Sequence, residues 1–317
     1  MSRLFNDSLN MTKRYSTIAG LNIQPHQVTL ALLTKLPGKA GTARIAGVVH
    51  QPLATGVIAQ GIWRDTGAIQ SAIGRCRELL GRPNCRVVMC LADDAVVTAR
   101  VPRPELRFEH QQQPALEAMV AQISPWPPEQ SVMDWVSCTD GLISLAVCQA
   151  QGIHDAQRCL VRLNMRLLGV EPESQSLLRL LHRLVPRLGS RLGIFVIAES
   201  ARISVSLFVG DGLIGSHNLV SSAGSPAYTQ QTVLEEVTTA LQQLPLSQPT
   251  KPALLLVGGL VDPALCLALG HQLDCEVTDV DAALDLAGLV YESASPGFAI
   301  KSDGAVALGN ALWPFDG

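Results

Sequence analysis

Short apolar runs alternate with amphipathic stretches along this chain, and they do so in the same order twice. Residues 18–33 and 42–49 are rich in Leu, Ile and Val with loose period-two alternation, and they read as strands of one sheet followed by Pro and Gly punctuation over 52–61. Residues 66–80 carry Ile69, Ala72, Ile73 and Leu79 at helical spacing with charges opposite, end near Gly81-Arg82-Pro83, and feed a buried strand at 86–91. A second helix at 114–123 stops at Ser124-Pro125-Trp126-Pro127-Pro128, because a residue that precedes proline is pushed out of the α region. Segments 131–138 and 141–147 form a hairpin pattern through Thr139-Asp140-Gly141, where Asp-Gly tolerates the positive φ of a tight turn. Residues 153–163 are helical again.

A helix at 174–185, with Leu177, Leu181 and Leu184 on one stripe, is ended by Pro186. The pattern then restarts with strands at 193–199, 203–209 and 213–219, the last two joined by the turn Gly210-Asp211-Gly212. A helix at 229–244, a strand at 253–257, helices at 263–269 and 281–289 and a small-residue segment at 305–312 follow. Strands, helix, strand, helix recur in both halves without sequence identity between them. The predicted architecture is two α/β lobes with a hinge near 187–191.

Composition makes this a packed protein. The 317 residues hold 24 Lys and Arg against 27 Asp and Glu, a net charge of -3, with 47% apolar and 16% charged residues. Low charge without charge runs excludes a disordered chain, a coiled coil and a protein that coats polyanions through global charge. The eight cysteines show no CxxC spacing, so they are expected to be reduced core thiols in a cytoplasmic protein. Residues 1–16 are polar, lack an apolar h-region and are expected to form a disordered extension, with Met11 an alternative start. The longest apolar stretches, 193–198 and 253–261, fall well short of the roughly 20 residues that span a bilayer, so any membrane role is expected to be peripheral.

Candidate chemistry is sparse. No G-x-S-x-G elbow, complete P-loop or H-E-x-x-H occurs. His26 lacks a carboxylate neighbour in sequence and Glu199 stands at a strand end, so each is read as solvated rather than catalytic, while Asp93-Asp94, adjacent on extended chain, point apart, are not expected to share a proton and mark the exit into the segment that follows. The spacings of Cys138, Cys148, Cys159 and His154 fit no common zinc motif. Arg179, Arg183, Arg187 and Arg191 recur every four residues and are read as a solvated face. Trp126, between two prolines, is either a core plug or the wall of a groove.

Several segments together resemble the PilM family of type IV pilus assembly proteins, including its competence and DNA-utilisation relatives called HofM. They are Ala19-Gly20-Leu21-Asn22-Ile23, the glycine-punctuated turn at 56–62, and the helix, proline turn and strand over 114–136 with Leu116-Glu117-Ala118, Ile123, Pro125 and Asp134. Leu168-Gly169-Val170-Glu171-Pro172-Glu173 and Leu256-Val257-Gly258-Gly259 complete the series. The resemblance implies an α/β, two-lobed actin-like (RNase H-like) fold with an inserted α+β subdomain in the first lobe and a reduced second lobe. The implied divisions are a 1–16 extension, a first lobe of 17–93 and 164–190, an insert of 94–163, and a second lobe of 191–317.

An actin-like ATPase needs two Gly-rich strand turns whose N–H groups reach phosphate, and acidic residues to hold the metal. In this chain Asn22 stands in the aspartate's place, Gln24 in the glycine's, and Pro25 removes a donor. In the second turn, Val196-Ile197-Ala198-Glu199-Ser200-Ala201, the family's aspartate and glycine are both absent. Asn22, Gln24, Gly258 and Gly259 are therefore expected to form a degenerate nucleotide site without catalysis, holding no cofactor or only weakly bound ATP/Mg. The family likeness further implies an adaptor of a pilus or DNA-uptake machine that binds the N-terminal tail of a PilN-like inner-membrane protein. Val101, Pro102, Leu116, Ile123, Pro125 and Trp126 form the expected neighbourhood. Other inner-membrane platform components, a place at the inner face of the membrane, no direct nucleic-acid contact and an open question of self-association belong to the same expectation. The competing expectation is a nucleotide-binding ATPase whose ATP state regulates pilus assembly.

Overall fold

In the computed structural model, Pro25 and His26 divide the first apolar run into two antiparallel strands, β1 (Thr17–Gln24) and β2 (Gln27–Lys35), which pair with Gln24 opposite Gln27. The structure describes residues 16–36, 43–59, 62–81, 84–104, 112–137, 142–185, 188, 191–199, 202–210, 212–220, 227–243, 251–284, 289–291 and 302–313. The predicted extension and hinge, and the Thr139-Asp140-Gly141 turn, lie wholly or largely outside them.

The first sheet continues with β3 (Ala43–Pro52), and a small hairpin, β4 (Ile58–Ala59) and β5 (Ile62–Trp63), leads to helix α1 (Thr66–Leu79). Asp65 caps α1, its Oδ1 accepting from the Ala68 amide at 2.9 Å. Strands β6 (Arg86–Leu91) and, much later, β10 (Arg166–Pro172) lie parallel to β1 on its other side. The second sheet repeats this plan. Strands β11 (Leu192–Ala198), β12 (Arg202–Val209) and β13 (Gly212–Val220) form an antiparallel meander, helix α5 (Gln230–Gln242) follows, and β14 (Ala253–Val257), helix α6 (Pro263–Leu273) and β15 (Glu276–Asp279) add parallel strands.

Numbered within each lobe, both sheets read third, second, first, fourth, fifth. That shared order makes the architectural repeat a structural fact, with an edge strand, β16 (Leu289–Tyr291), added only to the first sheet. In the second lobe, α5 is the sole described element between β13 and β14, which matches the predicted reduction.

Between its fourth and fifth strands the first lobe carries the inserted unit: β7 (Val96–Pro102), helix α2 (Gln112–Ile123), β8 (Ser131–Ser137) and β9 (Leu142–Gln149), with strand order β7-β9-β8. Leu116 and Val120 of α2 pack on Ile143, Leu145 and Val147 of β9, giving the unit its own small core. Helix α3 (Ala150–Arg162) follows it, but Ile153, Ala156 and Leu160 bury into the core of the first lobe. The insert therefore ends before α3 rather than at 163.

The division at 191–317 also changes. After α7 (Val280–Leu284) the chain returns to the first sheet, where β16 pairs with β3 and helix α8 (Ser302–Leu312) lies against β1 and β2. Only residues 281–284 of the expected helix at 281–289 belong to α7, which opens one residue earlier. Helix α8 and helix α4 (Glu173–Leu184) are packed together in the interior. The largest apolar cluster contains Leu180 and Leu308 from these helices, Leu33 and Ile45 from the first sheet, and Phe195 and Leu255 from the second. One continuous core thus joins the lobes, and it brings the turn after β1 and the turn after β11 to the same end of α4.

Candidate functional site

At that end, the N-terminus of α4 lies between the two turns. Pro172 starts the helix without a side-chain cap of its own, and the missing cap comes from a distant residue. Asp93, in the short turn after β6, accepts through Oδ1 from the Ser174 amide at 3.1 Å and the Ser174 hydroxyl at 2.9 Å. Asp93, expected only to mark the exit from the strand before it, is half-buried and organises the helix start. The side chain of Asp94 lies outside the described residues.

Glu173 occupies the first turn of α4 and is 4% exposed. Its Oε2 accepts from Gln24 Nε2 of the first lobe at 3.3 Å, and its Oε1 accepts from Arg202 Nη2 of the second lobe at 3.0 Å. Gln24 also donates to Asn22 Oδ1 at 3.3 Å, and that oxygen accepts from the Cys90 thiol at 3.4 Å. Burial holds the Cys90 thiol well above the usual thiol pKa. The Glu173 carboxylate adds to this rise and the Asn310 side chain opposes it, while Glu171 and Asp93 add smaller increments, so the sulfur is a neutral donor. The structure therefore brings Asn22 and Gln24 together, and both are buried.

The other two predicted residues meet the second turn. Gly258 has φ +130°, and a Cβ there would stand 2.3 Å from the Ala198 carbonyl oxygen, so close approach of two backbones explains this glycine. The Gly259 amide donates to Glu199 Oε2 at 3.0 Å, and the Leu260 amide donates to the Ala198 carbonyl at 3.0 Å. Glu199 and Arg202 exchange backbone hydrogen bonds across the turn between β11 and β12. A line of bonded groups consequently runs from Gly259 through Glu199, Arg202 and Glu173 to Gln24 and Asn22. Its central members, Glu173 and Arg202, were not singled out from the sequence. His26 is exposed in its turn, where its carbonyl accepts from the Leu53 amide at 2.8 Å.

A second polar cluster lies deeper in the same seam. Arg179 is not part of a solvated stripe: its guanidinium grips Glu171 in bidentate fashion at 2.6 and 2.7 Å and donates to the Gly309 carbonyl at 3.0 Å. Ser176 donates to Glu171 and contacts the Asn310 side-chain oxygen, while Asn310 Nδ2 donates to the Leu21 carbonyl at 2.9 Å. These bonds tie β1, β10, α4 and α8 together. Of the other stripe residues, Arg191 donates through Nε to the Lys251 carbonyl at 3.0 Å, and Arg187 lies outside the described residues.

The residues expected near a partner all belong to the inserted unit but face different ways. Leu116 is fully buried in the unit's core, so its role there is packing. Val101 is half-buried against the same core and Pro102 follows it on the surface. Ile123 is 37% exposed, and Pro125 is exposed. Trp126 packs partly buried on the core, and its backbone is pinned from both sides by the Ser124 hydroxyl, which donates to the Trp126 carbonyl and accepts from its amide.

Sequence reasoning missed the crease between this unit and the first lobe. It forms a small, half-open recess of about 30 Å³ whose lining is almost wholly apolar, with Val132 and Met133 of β8 on one side and Leu91 and Val170 of the first sheet on the other. Asp134 and Glu171 also border it. The lining strands β8 and β6 are far apart in sequence, and no local spacing joins them. Among the described residues, no group of His, Cys, Asp and Glu is placed to hold a metal ion, and no helix is long and apolar enough to cross a membrane.

No family model and no curated protein matches the sequence. Among solved structures, a chain of a PilM-PilN type IV pilus biogenesis complex superposes with a TM-score of 0.70 at 16% identity, covering 96% of this chain and 100% of that one. The cytoplasmic domain of EpsL, an inner-membrane component of the type II secretion system of Vibrio cholerae, superposes with a TM-score of 0.50 at 10% identity, covering 94% and 95%. Identities this low speak for the fold alone. Together with the repeated strand order, they establish this chain as a two-lobed actin-like α/β protein with an α+β unit inserted in its first lobe.

Proposed function

We propose that this protein is a cytoplasmic adaptor of a type IV pilus or DNA-uptake machine, and that it acts by binding rather than by catalysis. The observation that carries the reading is the apolar crease between the inserted unit and the first lobe. Its volume of about 30 Å³ lies far below the ~300–1,000 Å³ of small-ligand sites, so a tail would seat a single small apolar anchor there and lie along the surface beside it. Met133 supplies an adaptable surface. Glu171 is already paired with Arg179, which leaves Asp134 as the acidic group at the border to favour a basic residue beside that anchor, and cytoplasmic segments next to a membrane span are rich in Lys and Arg. Whole-chain likeness in fold to a protein solved with PilN supports a PilN-like inner-membrane protein as the owner of that tail. Docking on such a tail would hold the adaptor at the inner face of the membrane without a span of its own.

The test is a fluorescence titration of the purified protein with a synthetic N-terminal tail of the host's PilN-like protein. Saturable binding that weakens about tenfold or more in Met133→Lys, with the fold retained by circular dichroism, is the expected result, since a buried cation without a partner is costly. A folded wild-type protein that ignores the tail would sink the proposal.

A further inference from the structure

Actin-like folds imply a nucleotide between the two strand turns, and the groups found there point elsewhere. We infer that this cleft takes no nucleoside triphosphate, and that the Glu173 carboxylate, held by Arg202 and Gln24, is an internal anion that joins the lobes in the nucleotide's place.

Three observations carry this. First, the N-terminus of a helix attracts phosphate through its unpaired N–H groups and the positive end of its dipole. At α4 this capacity is consumed by the chain's own acids, since Asp93 takes the Ser174 amide and Glu173 sits in the first turn. Second, apart from the buried Asn22 Nδ2, donors at the two turns are engaged within the chain. Arg202 and Gln24 both donate to Glu173, the Gly259 amide donates to Glu199, and Pro25 has no N–H to offer. Third, two carboxylates, Glu173 and Glu199, stand at the two turns. A triphosphate would have to displace Glu173 from Arg202 or lie against a buried negative charge, which is repulsive at low effective dielectric. Glu173 is buried, and so are Gln24 and Asn22 behind it, so the line is part of the interior and not a surface pair that yields easily.

The arrangement has a mechanical consequence. Arg202 belongs to β12 and Gln24 to β1, so one carboxylate fixes the first turn of one lobe to the second turn of the other. A nucleotide-dependent protein of this fold can open when its ligand leaves, whereas this one carries its ligand in the chain. Its lobes remain closed at all nucleotide concentrations.

Two measurements on the full chain test the inference. Calorimetry of wild type with Mg-ATP and with Mg-ADP, up to millimolar concentrations, is expected to give no saturable heat and neither nucleotide to raise the melting temperature. Hydrogen exchange in Glu173→Gln is expected to quicken about tenfold in peptides covering 20–26 and 196–199, the effect of losing one charge-assisted hydrogen bond, while the inserted unit is unchanged. Arg202→Gln, whose wild-type side chain is 21% exposed, provides a second variant from the other lobe and should give the same exchange pattern. Saturable micromolar binding of Mg-ATP to wild type would overturn the inference, as would unaltered exchange at both turns in the two variants. Neither result bears on tail binding at the crease, so failure here and failure of the adaptor reading can be told apart.

Discussion

Arg179 and Glu171 face each other through two parallel hydrogen bonds of 2.6 and 2.7 Å, with the carboxylate 2% and the guanidinium 14% exposed. Removing one partner of such a pair leaves the other charge buried and unmatched. Arg179→Ala is expected to lose about 3–5 kcal/mol of unfolding free energy. Arg179→Lys should keep part of it, because an ammonium cannot reproduce the bidentate fork. Urea unfolding should show a lower midpoint with the slope preserved. A loss below about 1 kcal/mol for the alanine variant would mean that the seam tolerates an uncompensated carboxylate.

The glycines under α8 make a second prediction. A Cβ at Gly20 would stand 1.8 Å from the Ala307 carbonyl oxygen, and one at Gly309 would stand 2.2 Å from that of Ser176. In each case the obstacle is backbone, which cannot rotate away, so Gly20→Ala should displace α8 and cost more than about 3 kcal/mol. Gly152 in α3 has open space around its missing Cβ, and Gly152→Ala should raise stability by up to about 1 kcal/mol through helix propensity. Thermal unfolding of the pair distinguishes a steric requirement from a general effect of alanine.

Much of the fold was legible because local patterns carried it. The meander of the second lobe follows from three apolar runs and Gly210-Asp211-Gly212, and α1 and α4 from helical periodicity and Pro186. Strand β7 was missed although Val97, Ala99 and Val101 alternate with Thr98, Arg100 and Pro102 as a half-exposed strand should, and β16 escaped because three residues are too few for any period. Helix α8 was visible only as a run of small residues: its described side chains are buried all round, which erases the amphipathic stripe. At the seam, Asn22, Gln24 and the glycine pair were placed by family likeness. Glu173 was passed over because a glutamate in the first turn of a helix has a sufficient local explanation in the dipole. Its partner Arg202 lies 29 residues away in the other lobe, and no spacing rule joins them.

Two buried thiols set an alkaline limit on stability. Burial raises Cys76 to about 12 and Cys148 to about 11, from an ordinary value of 9.0. Between pH 9 and about 11 an unfolded thiol ionises while the folded Cys148 stays protonated, so the contribution is whole below pH 9 and is lost as pH rises through the folded value. Each such thiol should lower the unfolding free energy by up to about 1.4 kcal/mol per pH unit in that window. Cys148→Ala should flatten the slope by about one proton, read from urea midpoints between about pH 8.5 and 10.5. An identical slope in the variant would show that Cys148 ionises normally in the fold.

Leu116 and Ile123, two positions of one helix, should separate folding from binding in the inserted unit. Leu116 has no exposed surface and touches the unit's own core, so Leu116→Ala should cost about 2–5 kcal/mol in stability. Ile123 is 37% exposed at the end of α2 beside Pro125, and Ile123→Ala should cost well under about 1.5 kcal/mol. If the tail extends from the crease over the end of α2, Ile123→Ala will weaken it severalfold with little thermal change, whereas Met133→Lys will abolish it from inside the crease. If instead the tail is confined to the crease, Ile123→Ala will titrate like wild type. Comparing the titrations of these two variants with their melting temperatures therefore maps the length of the occupied groove, because a change in affinity without a change in stability can come only from a residue the tail touches.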